Sequence, residues 1–121
     1  MIIGVGVDIV DIPRITKVLE GRGEKFLQRI FTKKELELMS LKPATVAGRF
    51  AAKEAVAKAL GVGIGLISWQ EIEIIKDNLG KPKVRLTGRA LKRAKVLGIA
   101  RVHLSISHSK TQAVAYVIGE G

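Results

Sequence analysis

Two carboxylates, two histidines and several cations are the side chains here whose neighbourhoods suit chemistry on an anionic ligand. Asp8 closes a stretch in which Ile3, Val5, Val7 and Ile9 alternate with Gly4, Gly6 and Asp8. That period of two is the pattern of a strand. Its second face is nearly bare, and glycine inside a strand is tolerated where a ligand or another backbone comes close. Asp8 therefore either looks into a space that Gly4 and Gly6 keep open or lies solvated at the end of a tightly packed edge.

The second carboxylate, Glu54, lies in Arg49-Phe50-Ala51-Ala52-Lys53-Glu54-Ala55-Val56-Ala57-Lys58. In a helix Glu54 and Lys58 are neighbours on one face, an arrangement that commonly adds only roughly 0.2–0.5 kcal/mol of helix stability. The surrounding alanines leave both side chains unscreened, which also suits contact with a ligand. Gly61, Gly63 and Gly65 follow in alternation. They bring backbone amides close to a ligand or form only a helix cap and a turn. The run follows a helix and lacks the spacing of a P-loop or a dinucleotide fingerprint.

Alternation in Val102-His103-Leu104-Ser105-Ile106-Ser107-His108-Ser109 puts His103, Ser105, Ser107 and Ser109 on one face and Val102, Leu104 and Ile106 on the other. His108 is in phase with the apolar face but stands at the strand end, beside hydroxyls that bind phosphate oxygens. Both histidines equally suit hydrogen bonds inside the fold. No Gly-x-Ser-x-Gly elbow is present, which argues against a serine hydrolase. Two histidines without cysteine make an incomplete zinc site. The hard oxygens of Asp8 and Glu54 suit magnesium, which keeps several waters and takes one or two carboxylates plus substrate phosphates.

The elements that must position these groups read as strand, helices, hairpin, helix, hairpin: an α+β chain with mainly antiparallel pairing and a long helix packed on the sheet. Met1 to Ile9 is the first strand. Asp11 is placed to cap a helix that has Pro13 in its first turn, and a glycine-containing break separates Arg14 and Lys17 from Arg22, Lys25 and Arg29. Thr32-Lys33-Lys34-Glu35 is a capping box that starts a helix ending before Pro43. The long helix runs from about Thr45 to Leu60, with Gly61 left-handed at its end. Ile67 to Lys76 and Pro82 to Leu86 form a hairpin. Thr87 to Leu97 is an amphipathic helix with Leu91, Ala94 and Leu97 in step, closed by Gly98. Arg101 to Ser109 and Gln112 to Ile118 are the last strands.

A chain of 121 residues is read as one domain, 1–121, because a single core usually occupies about 100 to 200 residues. With 47% apolar residues and a small core, some apolar surface is available for contacts between copies. The absence of cysteine fits a reducing cytoplasm, and no cationic leader or apolar run long enough to span a bilayer is evident. The net charge of +10 attracts polyanions or acidic proteins. A basic nucleic-acid-binding module is the alternative this charge suggests, and a non-catalytic trimeric scaffold a weaker one. Against nucleic acid stand the lack of a long basic run and the five aromatic residues without a stacking pattern.

Taken together, three blocks resemble the holo-acyl-carrier-protein synthase family, a branch of the 4′-phosphopantetheinyl transferases. They are Gly4 to Ile9 with Arg14, Gly48 to Ala55 with Lys58 and the Gly61 to Gly65 run, and His103 to Ser109. Lys76-Asp77 followed by Gly80-Lys81-Pro82 resembles the family's hairpin turn, and the likeness extends in order over essentially the whole chain. The resemblance implies a 4′-phosphopantetheinyl transferase-like fold and transfer of 4′-phosphopantetheine from coenzyme A to a serine of an acidic acyl carrier protein. It implies that Asp8 and Glu54 bind Mg2+ and that Lys58 sits beside the transferring phosphoryl group, so that Asp8, Glu54 and Lys58 form the catalytic set. Glu54 acting through a metal-bound water is the expected base, since such a water is more acidic than bulk water. It further implies that Arg49, Lys53, Gly61, Gly63, Gly65, His108 and Ser109 hold the nucleotide's phosphates. Arg14, Arg22, Lys25 and Arg29 fall where family members meet the carrier's acidic helix, and short members are typically homotrimers.

Overall fold

The computed structural model describes residues 1–121. Strand β1 (Ile2–Asp11) leads into helix α1 (Ile12–Ile30), followed by α2 (Lys33–Leu38) and α3 (Pro43–Ala59). A 3-10 turn over Trp69–Glu71 precedes the hairpin of β2 (Ile72–Lys76) and β3 (Pro82–Leu86). Helix α4 (Gly88–Leu97) then leads to β4 (Arg101–His108) and β5 (Gln112–Glu120). The strands form two antiparallel sheets, β1-β5-β4 and β2-β3. The α+β architecture with antiparallel pairing is as the sequence implies.

Helix α3 is the centre of the molecule. Its alanines from Ala47 onward, Val46, Val56 and the capping Leu60 belong to a core cluster of 24 buried residues, and the helix packs against β1 and β5 on one side and α1 and β2 on the other. Small side chains allow this, because a helix buried on several sides must bring its neighbours close. The bare face of β1 answers the alternatives left open at Gly4 and Gly6: a backbone, not a ligand, approaches there. A Cβ on Gly6 would overlap the Ala55 carbonyl oxygen and lie 2.9 Å from the Ala59 nitrogen. The apolar face of β1 points the other way, leaving Ile3, Val5, Val7 and Ile9 exposed. In register beside them, Val5 faces Ile118, Val7 faces Tyr116 and Ile9 faces Val114, so the outer surface of the larger sheet is an uncovered apolar ladder.

Several local expectations need correction. Asp11 makes no side-chain cap; it ends β1, and the first amide of α1, on Ile12, donates instead to the Thr111 carbonyl at 2.9 Å. The glycine-containing break, by contrast, is present as expected: residues 12–30 are two helical pieces joined at a kink at Arg22, whose φ of −107° and ψ of 43° are non-helical. Helix α3 starts at Pro43, because proline lacks only an amide that the first turn leaves unpaired. The strand expected from Ile67 begins at Ile72, since Ser68 and Glu71 form a second capping box around Trp69–Glu71. On α4 the buried stripe is Ala90 and Ala94, with Leu91 exposed. Thr32 and Glu35 do form their capping box, and Gly98 caps α4 with φ 81°.

Candidate active site

Close packing of β1 on α3 brings Asp8 and Glu54 to one cavity of about 510 Å³, lined also by Ile9, Val10, Arg14, Phe26, Phe50 and Gln112. Asp8 arrives there because it continues the glycine face of β1 past the point where α3 presses on the strand. Glu54 lies on α3 one residue before Ala55, whose carbonyl meets Gly6. The two carboxylates have different partners. Asp8 Oδ1 accepts from Lys58 Nζ at 3.1 Å, and Glu54 Oε1 accepts from the indole Nε1 of Trp69 at 3.0 Å. One oxygen of each, Asp8 Oδ2 and Glu54 Oε2, has no protein donor. Two hard carboxylates opening on one cavity, each with an oxygen free, fit a magnesium ion that takes its remaining ligands from water and substrate phosphate.

Lys58 is more than half exposed and donates to the Val7 carbonyl at 3.0 Å as well as to Asp8. The Glu54–Lys58 helix pair suggested by their spacing does not form. Arg14 lines the cavity of the acidic pair and a neighbouring one with Asp11, Pro13, Lys17 and Thr111. Arg29 lies with its guanidinium 5.4 Å above the Trp69 ring, a cation–π distance. Arg22 and Lys25 are exposed on α1 and line neither cavity.

The residues expected at the nucleotide divide into three places. His108 and Ser109 line a cavity of about 410 Å³ with Ile9, Ser107, Gln112 and Val114, at the end of the apolar ladder. His108 also lines a groove of about 210 Å³ with Arg49, Thr45, Lys76 and Pro82. Arg49 is largely buried, donates to the Ile74 carbonyl at 2.8 Å, and has its pKa lowered by that burial. Gly61, Gly63 and Gly65 stand past the end of α3, where Gly61 and Gly65 have positive φ and a Cβ on Gly63 would meet nothing. Arg93 Nε donates to the Leu60 carbonyl at 3.0 Å and Arg89 Nη1 to that of Gly65 at 3.4 Å, so two arginines of α4 flank this loop.

Lys53 requires a correction. It is wholly buried, and its ammonium donates to Glu35 Oε1 at 2.7 Å, to the Trp69 carbonyl at 3.0 Å and to the Ile72 carbonyl at 2.5 Å. Burial pulls its pKa below the ordinary lysine value, against the attraction of Glu35. A side chain so enclosed is a core tie, and its position does not support a phosphate contact. Trp69, Phe26, Phe50, Arg89 and Arg93 also border these places, and their roles do not stand out in the sequence. Phe26 and Phe50 are 5.8 Å apart and Phe50 and Trp69 6.1 Å apart between ring centroids, a cluster visible only once α1, α3 and the 3-10 turn are packed.

A family model described as the 4′-phosphopantetheinyl transferase superfamily matches residues 4–117. The chain is 52% identical over 121 residues to the holo-[acyl-carrier-protein] synthase of Natranaerobius thermophilus, covering 98% of this chain and 97% of that one. It is 48% identical to the holo-[acyl-carrier-protein] synthase of Clostridium tetani, covering 100% and 98%. The crystal structure of the synthase from Neisseria meningitidis, 40% identical, matches with a TM-score of 0.90 over 100% of both chains. That of the Helicobacter pylori synthase in complex with coenzyme A, 36% identical, matches with a TM-score of 0.86 over 96% of this chain and 99% of that one. Sequence and backbone agree over the full length of these relatives, and the chain is a transferase that belongs to the holo-[acyl-carrier-protein] synthase family of the 4′-phosphopantetheinyl transferase superfamily.

Proposed function

We propose that this chain transfers 4′-phosphopantetheine from coenzyme A to a serine of an acidic apo-acyl carrier protein, releasing adenosine 3′,5′-bisphosphate, and that it requires Mg2+. The observation that supports this most directly is the convergence of Asp8 and Glu54 on one cavity, with Lys58 paired to Asp8. The coenzyme A complex of the Helicobacter pylori relative supports the donor, and the relatives' name supports the acceptor.

The reaction is an in-line displacement. The serine oxygen forms a bond to the phosphorus next to pantetheine, the bond from that phosphorus to the nucleotide's oxygen breaks, and the serine proton passes to a base. Such transfers need positioning and charge neutralisation more than covalent help. Asp8 and Glu54 would hold the magnesium ion. When bound, the ion supplies a Lewis acid that neutralises diphosphate charge. Lys58, exposed and paired with Asp8, neutralises charge on the transferring phosphoryl group or protonates the leaving oxygen. Glu54 is the candidate to receive the serine proton. Arg49, His108 and Ser109, with the Gly61, Gly63 and Gly65 loop, would hold the nucleotide's phosphates.

Arg14, Arg22, Lys25 and Arg29, exposed along α1, form the surface for the acidic carrier, with Arg14 joining it to the cavity. Residues 1–121 act as a single transferase domain, assembled as a homotrimer through the uncovered apolar ladder of β1 and β5, which brings the His108 and Ser109 cavity to a subunit boundary. No helix is long and apolar enough to cross a membrane, in keeping with work in the cytoplasm.

Incubation with coenzyme A, magnesium and an apo-carrier, followed by intact mass, tests the reading. A gain of one phosphopantetheine on the carrier, abolished by Asp8→Ala or by a chelator, is expected. An unmodified carrier at high enzyme concentration overturns it.

A further inference from the structure

Glu54 is half-buried on α3, and its orientation is set from outside its own helix. The only protein donor to its carboxylate is the indole Nε1 of Trp69, at 3.0 Å from Oε1. Trp69 is the chain's one tryptophan and is held at three points. Its ring packs on Phe50, with centroids 6.1 Å apart; the Arg29 guanidinium lies 5.4 Å above it; and its carbonyl oxygen accepts from Lys53 Nζ at 3.0 Å. Lys53 is itself immobile, wholly buried and tied to Glu35 at 2.7 Å and to the Ile72 carbonyl at 2.5 Å.

We propose that Trp69 is a positioning residue for Glu54: its indole N–H pins Oε1 and thereby presents Oε2 to a divalent cation in the cavity shared with Asp8, while the Glu35–Lys53 pair anchors the indole through the Trp69 carbonyl. The proposal rests on the reading of Glu54 as a metal-holding carboxylate. An indole nitrogen only donates, so the contact fixes which oxygen is committed to the protein. Without it the flexible glutamate chain must be ordered when the ion arrives, at a cost in side-chain entropy. Hydrogen-bond partners of metal-holding groups typically account for about 10–100-fold in metal affinity or activity.

Trp69→Phe keeps a ring on Phe50 and under Arg29 and removes the N–H. With Mn2+ as probe, free ion measured by electron paramagnetic resonance in saturating coenzyme A, this variant should bind about tenfold more weakly than the wild type. The magnesium concentration giving half-maximal transfer should rise by the same factor, while kcat at saturating magnesium stays within about twofold, a split that a general loss of structure does not produce. Wild-type Mn2+ affinity in Trp69→Phe overturns the proposal.

A second measurement leaves Trp69 in place and so decides the matter whether or not that variant folds. Indole emission of the wild type should change on Mg2+ titration with the dissociation constant that displacement of Mn2+ gives for Mg2+, and Glu54→Gln should abolish the change. Emission indifferent to Mg2+ over that range overturns the proposal alone, provided the wild type binds Mn2+ and modifies its carrier. A wild type that does neither overturns the functional reading with it.

Discussion

Lys58 Nζ stands 3.1 Å from Asp8 Oδ1, so the cation that helical spacing sets beside Glu54 is paired with a carboxylate of β1. Two neighbours divide the helix pair: β1 lies along α3 within reach of Lys58, and Trp69 takes Glu54. The Lys58 side chain is 56% exposed, and ion pairs this exposed are worth only about 0–1 kcal/mol. Lys58→Ala should therefore leave the melting temperature nearly unchanged while lowering kcat of carrier modification by about two orders of magnitude, the scale on which removal of a charge-stabilising group acts. Lys58→Arg should retain part of the rate. Initial rates beside thermal unfolding check this, and a variant that loses stability and rate together would make Lys58 a structural tie.

What could be read in advance was local chemistry. The Thr32–Glu35 capping box, the Gly98 end of α4 and the hairpin around Asp77 to Lys81 each follow from residues within a few positions of one another. The convergence of Asp8 and Glu54 was legible through family resemblance, not through spacing. The inward face of β1 was not legible, because a period of two marks both faces equally and only the alanines of α3 decide that the glycines go inside. Lys53 was misplaced for a similar reason: its partner Glu35 lies on another helix, and a lysine among alanines reads as exposed until that carboxylate is packed over it.

Gly6 makes the strand–helix contact testable. A methyl group there overlaps the Ala55 carbonyl oxygen, and overpacking of this kind costs about 1–3 kcal/mol. Gly6→Ala should lower the urea midpoint by a corresponding amount and, because Asp8 is two residues along the same face, reduce transfer further than the stability loss explains. Gly21→Ala is the control. A Cβ at Gly21 meets nothing within 4 Å in a helical segment, so that change should be neutral or stabilise by about 0.5–1 kcal/mol.

The Glu35–Lys53 pair, 2.7 Å apart with side chains 1% and 0% exposed, should behave as a buried unit. Removing one partner leaves an uncompensated charge, which costs about 3–5 kcal/mol. Lys53→Met is expected to show that loss in urea unfolding. Adding Glu35→Gln removes the unpaired charge but sets a donating NH2 against one of the two amides, of Thr32 and Ile74, that its two oxygens now serve, so it should recover only part of the loss. A double variant no more stable than Lys53→Met would show that the unpaired charge of Glu35 costs no more than the acceptor that glutamine gives up.

Glu71 gives a prediction in pH. It accepts from the Ser68 amide at 2.7 Å and from the Arg89 amide at the start of α4, where a helix leaves amides unpaired and favours negative charge. Partial desolvation pushes its pKa up, but these two amides and the Arg89 guanidinium outweigh that and hold it below the ordinary carboxylate value of 4.5. With the folded value below the unfolded one, protons bind more readily to the unfolded chain in the window between them. The stabilisation from Glu71 is thus fully present above the unfolded value and lost as pH falls through the folded one. Glu71→Gln should melt lower than the wild type near pH 7, and the gap should narrow as the medium is acidified below about pH 4. Melting followed by circular dichroism at a series of pH values checks it; a gap constant from neutral to acid would mean that Glu71 acts through shape and packing, with no contribution from its charge.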